Sequence, residues 1–239
     1  MKKSVSVSLT AIFAAFNIVC DSLMGLPELS AGVWYSWIFL SEPITGILVG
    51  PYIGFLSSLI GVLIGHTIYF RGSYEFLFTI GAPLGAMISG LLFRGKWKVV
   101  LIYYTLLLTA YFATPVAWQL PLWGMWNVYC AYLVLLTAVI GGTFKGNLWK
   151  AEAKRLLYPL AVCTFIGLEA DVLFRIFLFI PGQTYWFFYG FDVDALSLIW
   201  MAGAFETPVK VALSTIVVLI VGPPLIKTLK GAGVFPLSG

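Results

Sequence analysis

Long apolar stretches separated by short polar turns set the pattern of this chain, and they run too continuously to be strands. A helix that crosses a bilayer needs about 20 mainly apolar residues, within a range of about 17–25. Eight stretches approach that length, at about 6–25, 34–49, 52–70, 76–93, 98–118, 125–143, 156–180 and 197–226. Turn chemistry divides them. Gly25-Leu26-Pro27 ends the first, Gly50-Pro51 turns the second into the third, and Arg94-Gly95-Lys96 ends the fourth. Pro121 and Gly124 mark a later turn, and Pro181-Gly182 closes the seventh. The second stretch is short and carries Glu42-Pro43, which leaves a break there open. Six or seven full spans with a re-entrant piece is the alternative to eight. Barrel strands would alternate apolar and polar over about ten residues, and that pattern is absent. The expected fold class is therefore all-α, a polytopic transmembrane helix bundle of six to eight spans, forming a single membrane domain over 1–239.

Composition sharpens this. Hydrophobic residues make up 61% of the chain and charged residues 10%, against about 25% charged in an ordinary soluble domain. Membrane lipid is the expected cover for such a surface, and localisation is expected to be multi-pass in the cell membrane. The net charge of +4 comes from short loops and points to no nucleic acid. Lys2, Lys3, Arg94, Lys96, Lys98, Lys145, Lys150, Lys154, Arg155, Lys227 and Lys230 fall on one side of an eight-span arrangement, eleven of the 14 basic residues. Arg71 is alone in the loops of the other side, and Arg175 and Lys210 lie inside spans. Positive-inside bias then places both ends of the chain in the cytoplasm. The opposite loops carry Glu28, Glu75, Asp192 and Asp194 with the aromatic runs Trp34-Tyr35-Ser36-Trp37 and Tyr185-Trp186-Phe187-Phe188-Tyr189. The basic start followed by an apolar run has a signal-peptide outline, yet no small-residue cleavage site precedes Leu26-Pro27-Glu28, so it reads as a retained first helix. Cys20, Cys130 and Cys163 sit in apolar stretches without metal-ligand spacing and read as small buried residues. No metal and no cofactor is expected.

Ionisable side chains inside spans cost about 2.5–3.5 kcal/mol each on insertion scales, which makes each a functional candidate. They are Asp21, Glu42, His66, Glu169, Asp171, Arg175, Glu206 and Lys210. Asp171 and Arg175 stand four apart, as do Glu206 and Lys210, so each pair shares a helix face. One reading makes them structural ion pairs; the other turns Arg175 and Lys210 toward a ligand-filled cavity. Depth supports the second: Asp21 and His66 lie near the outer ends of their helices, Arg175 and Glu206 in the outer half, and Lys210 nearer the middle. A substrate pocket open to the outside, drawn from Asp21, His66, Arg175, Glu206 and Lys210, is the expectation. His66 also reads as a helix-end histidine bonded to a neighbour. Glu42, before Pro43, reads equally as satisfying backbone donors freed by a kink or as touching ligand. Ala11 and Ala15 form a small-xxx-small pair in the cytoplasmic half of the first span, a surface on which a second helix can approach closely. Gly46, Gly50, Gly54, Gly61 and Gly65 continue the small-residue theme, with close packing inside the bundle as their simplest role.

Leu9-Thr10-Ala11-Ile12-Phe13-Ala14-Ala15-Phe16, Gly50-Pro51-Tyr52-Ile53-Gly54, Ser57-Ser58-Leu59-Ile60-Gly61, and a last helix opening at Glu206-Thr207-Pro208 and ending in Gly222-Pro223-Pro224 together resemble the S component of an energy-coupling factor (ECF) vitamin transporter. The resemblance covers roughly 5–95 and 200–230, and the stretch 98–195 departs from it by holding one or two extra helices. It implies a subunit that holds a vitamin-like small solute near the outer face. Toppling in the membrane would deliver the solute inward, driven by a transmembrane coupling subunit and two ATPases. It further implies that Ala11 and Ala15 dock on that coupling subunit; no ligand contact transfers by motif. The sequence carries no G-x-x-x-x-G-K-[ST] loop, so ATP hydrolysis falls to a partner, and the chain is not expected to be an enzyme.

Two other classes compete. An ion-coupled secondary transporter would use the acidic residues inside spans, although no matching interrupted helices mark two inverted halves. An intramembrane enzyme would need a nucleophile beside a base. His66 is the sole histidine, Ser89-Gly90 lacks the Gly-x-Ser-Gly form, and no H-E-x-x-H or aspartate-rich motif occurs.

Overall fold

Each apolar stretch winds into a helix, because a backbone deprived of water must satisfy its own N–H and C=O groups within the segment. The computed structural model describes residues 3–23, 36–150 and 156–233. Among these the regular structure is helical throughout: α1 (Lys3–Ser22), α2 (Ile38–Val49), α3 (Pro51–Ile68), α4 (Glu75–Phe78), α5 (Gly81–Phe93), α6 (Trp97–Phe112), α7 (Trp126–Ile140), α8 (Leu157–Phe179), α9 (Thr184–Phe187) and α10 (Val193–Gly231). Five segments are long and apolar enough to cross a membrane: α1, α3, Glu75–Phe93, Leu122–Ile140 and α10. Helices α2 and α6 are apolar but shorter, and α8 has 23 residues with Glu169, Asp171 and Arg175 among them.

Some sequence expectations need correcting. The stretch 76–93 is two helices, α4 and α5, separated by a turn at Thr79-Ile80. Helix α2 is unbroken through Pro43, and α10 continues past Pro223-Pro224 to Gly231. Pro43 and Pro208 are tolerated because other helices supply what they remove. A proline lacks an N–H, so it strips the carbonyl four residues earlier of its helical donor. For Pro43 that carbonyl is Phe39, and Ser214 Oγ of α10 donates to it at 2.7 Å. For Pro208 it is Ala204, and Trp126 Nε1 of α7 donates to it at 2.9 Å. The group freed is thus an acceptor, and Glu42 plays no part in satisfying it; neither of its oxygens has a hydrogen-bond partner. Ser214→Ala should remove one donor from the buried Phe39 carbonyl and cost about 0.5–1.5 kcal/mol. Unfolding in mixed micelles would read that loss, and Ser214→Thr should restore most of it.

Small residues let the backbones meet. A Cβ on Gly46 of α2 would strike the Ala86 carbonyl of α5, and one on Gly54 of α3 would come within 2.8 Å of Gly46 Cα. Gly50 turns α2 into α3 at φ 103°, a conformation that costs glycine little, and Pro51 opens α3 with its φ already set for a helix. Helix α1 lies along α3, with Asn17 Nδ2 donating to Ser58 Oγ at 3.2 Å and Thr45 Oγ1 of α2 donating to Asn17 Oδ1 at 3.4 Å. Helix α5 packs on α2, α3 and α8, and α10 closes against α8 and α2. The surface is apolar where the interior holds polar groups: Val7, Ile12 and Phe16 of α1 and Phe205, Ile216 and Ile220 of α10 are exposed, while Asn17, Glu42, Ser89, Thr164 and Glu169 are buried. That distribution is compatible with a surface covered by lipid rather than water.

The starts and finishes of the helices sort the charges. Lys3, Arg94, Lys96, Lys98, Lys145, Lys227 and Lys230 lie at one end of the bundle, where α1 and α6 begin and α5, α7 and α10 finish. There the Arg94 guanidinium donates to the carbonyls of Gly46 and Gly90, a cation at the carbonyl ends of α2 and α5. The other end, where α1, α3 and α8 finish and α2, α5, α7 and α10 begin, holds the cavity.

Candidate functional site

A cavity of about 660 Å³ opens among these helix ends. Its walls are apolar and aromatic, with Phe39, Phe78, Phe179, Tyr189, Phe191 and Trp200 prominent. Phe179 and Trp200 lie nearly parallel, with ring centroids 6.4 Å apart, and Tyr189 and Phe191 likewise at 5.2 Å. Six charged side chains interrupt these walls: Asp21, Arg71, Glu75, Asp171, Arg175 and Lys210.

On one side, Asp21 at the end of α1 is gripped by Arg71 from the loop after α3. Arg71 Nη2 donates to Oδ2 at 2.6 Å and Nη1 to Oδ1 at 3.1 Å, while Ser36 Oγ donates to Oδ1 at 2.8 Å. The side chains are only 6% and 3% exposed, so the pair is saturated and neutral toward the cavity. The carboxylate fits there because Gly65 of α3 faces it; a Cβ at Gly65 would come within 2.7 Å of Asp21 Cβ. His66 supports Arg71 from behind. Its Nε2 donates to the Gly72 carbonyl at 3.0 Å, and its Nδ1 accepts from Arg71 Nε at 3.3 Å. The ring packs at a tilt against Phe76, 4.0 Å between centroids. His66 is fully buried and does not line the cavity. With both ring nitrogens engaged it positions Arg71 and offers no base to a substrate.

On the other side, Arg175 donates through Nε to Asp171 Oδ1 at 2.6 Å and through Nη2 to Oδ2 at 3.0 Å. Gly81 of α5 makes the room, since a Cβ there would strike the Asp171 carboxylate. Arg175 keeps a third of its side chain exposed (33%), and its Nη1 has no partner among the described residues. Glu75 of α4 accepts from the Tyr189 hydroxyl at 2.8 Å through Oε1 alone. Asn127 at the start of α7 donates to both oxygens of the buried Glu169, at 2.9 and 3.2 Å, and lines the cavity itself.

The structure thus brings Asp21, Arg175 and Lys210 of the expected set into one cavity and leaves His66 and Glu206 outside its lining. Glu206 is buried beside the wall, with neither oxygen hydrogen-bonded, so it does not pair with Lys210 as Asp171 pairs with Arg175. Ala11 and Ala15 are exposed on α1, on a face shared with Ser4 and Ser8. Sequence reasoning assigned Arg71, Glu75 and Tyr189 to outer loops and gave them no site role. The available signal was that Arg71 is the one basic residue in loops otherwise free of them. Glu28, Trp34 and Tyr35 lie outside the described residues. No protein-family model, curated protein or solved structure matches the chain.

Proposed function

We propose that the chain is a substrate-binding membrane subunit of the ECF type. It captures a small, ring-bearing, vitamin-like solute in this cavity and passes it inward with a separate coupling subunit driven by ATPases. The observation that carries the reading is the cavity itself: about 660 Å³, aromatic-walled, with a few fixed charges, and set at the end of the bundle opposite the cluster of Arg94 and the loop lysines. That is the usual makeup of a small-molecule site. In this reading all eight long helices cross the membrane and both chain ends lie in the cytoplasm. The cavity then faces outward, as the clustering of basic residues at the opposite end supports. The exposed face of Ser4, Ser8, Ala11 and Ala15 is the surface assigned to the coupling subunit.

Native mass spectrometry of the protein purified in mild detergent is expected to show a retained small organic solute, lost when Arg175 is replaced by glutamine. A chain that retains no solute and shifts its unfolding midpoint with none would sink this reading. A second reading, an ion-coupled transporter, draws on Glu42, a wholly buried carboxyl with neither oxygen hydrogen-bonded. Solute uptake by the chain alone in liposomes under an ion gradient would favour it.

A further inference from the structure

We infer that the cavity selects a dipolar solute, one that carries both an anionic group and a cationic, proton-donating group on a flat apolar body. This rests on the reading of the cavity as a solute site and adds the charge class of the occupant.

The argument is an inventory of unused bonding capacity. Of the charges on the wall, Asp21 and Arg71 satisfy one another. Asp171 is occupied on both oxygens by Arg175. Apart from the ammonium of Lys210, which has an interaction of its own, two charged atoms remain without a hydrogen bond among the described residues: Nη1 of Arg175, a donor, and Oε2 of Glu75, an acceptor. They belong to different elements, α8 and α4, and no ion pair joins them. Asp171 holds the guanidinium of Arg175 at two points, so its free edge is oriented before any ligand arrives, as suits an oxyanion. Glu75 is held at one oxygen by Tyr189, leaving the second for an ammonium or ring N–H. The aromatic faces of Phe179, Trp200, Tyr189 and Phe191 line the same cavity, where a planar body stacks favourably. A simple anion would satisfy Arg175 and leave Glu75 facing an apolar ligand; a simple cation would do the reverse. Each mismatch leaves a desolvated charge unpaired, which is how polar sites discriminate.

Three indole probes of similar size separate the possibilities: indole-3-acetate (anion), tryptamine (cation) and tryptophan (both). Thermal unfolding of the full chain in detergent, titrated with each, is expected to give tryptophan an affinity roughly tenfold above either of the others. Glu75→Gln should erase the advantage of tryptophan over indole-3-acetate. Tyr189→Phe, which keeps the carboxylate and removes only its internal donor, should preserve that advantage. The unliganded midpoint of each variant reports whether it folds. Equal shifts from all three probes, or a shift from one singly charged probe that exceeds tryptophan's, would overturn the dipolar class and leave the cavity a solute site. No shift from any probe would overturn both.

Discussion

Replacing Arg71 with alanine is expected to cost about 3–5 kcal/mol of folding stability, the range seen when one partner of a buried ion pair is removed. The loss reaches beyond one contact. Asp21 would keep only the Ser36 hydroxyl, and His66 Nδ1 would lose its donor. The carboxylate would be left in a site 3% exposed, without the charge that justifies its burial. Asp21→Asn in the Arg71→Ala background should return a large part of that loss by removing the stranded charge. Chemical unfolding of the two variants and the parent reads both effects. A single-variant loss below about 1 kcal/mol would show that the pair behaves like an exposed surface bridge.

Gly46→Ala is expected to be comparably severe, beyond about 3 kcal/mol and at the upper end of what overpacking costs. The new methyl would meet the Ala86 carbonyl, backbone of a neighbouring helix that no rotamer change can move aside. Relief requires α2 to shift from α5, and the Arg94 bonds to the carbonyls of Gly46 and Gly90 go with it. Gly203→Ala in α10 is the control, with nothing within 4 Å of the added carbon. There the better helix former should be neutral or gain up to about 1 kcal/mol. The difference in thermal midpoint between these two glycine variants measures how tightly α2 and α5 are pressed together.

Much of the fold was legible because membrane helices are written in a simple code: length of apolar run, then glycine, proline or charge. All eight stretches became helices, and Gly50-Pro51 makes the turn that its chemistry predicts. The errors have separate causes. The stretch 76–93 is apolar throughout, so its pattern does not announce the turn at Thr79-Ile80. Pro43 left a break open, yet α2 runs through it because Ser214, remote in sequence, meets the freed carbonyl, as Trp126 does for Pro208 in α10. The site was legible to the extent that ionisable groups inside apolar runs are rare, and this marked Asp21, Arg175 and Lys210. It failed for Arg71 and Glu75, which sit on short loop and helix pieces folded back over the bundle end, where position along the chain gives no depth. It failed too for His66, where depth at a helix end gives no direction, and for Glu206, since an i, i+4 spacing fixes a shared helix face and says nothing of which neighbour that face meets.

Helix α10 has 39 residues and at 1.5 Å of rise each spans roughly 58 Å. A bilayer with its headgroups is about 40–45 Å thick. Such a mast is longer than a lipid layer is thick, so within a bilayer it must lean, or let at least one of its ends stand clear of the headgroups in water.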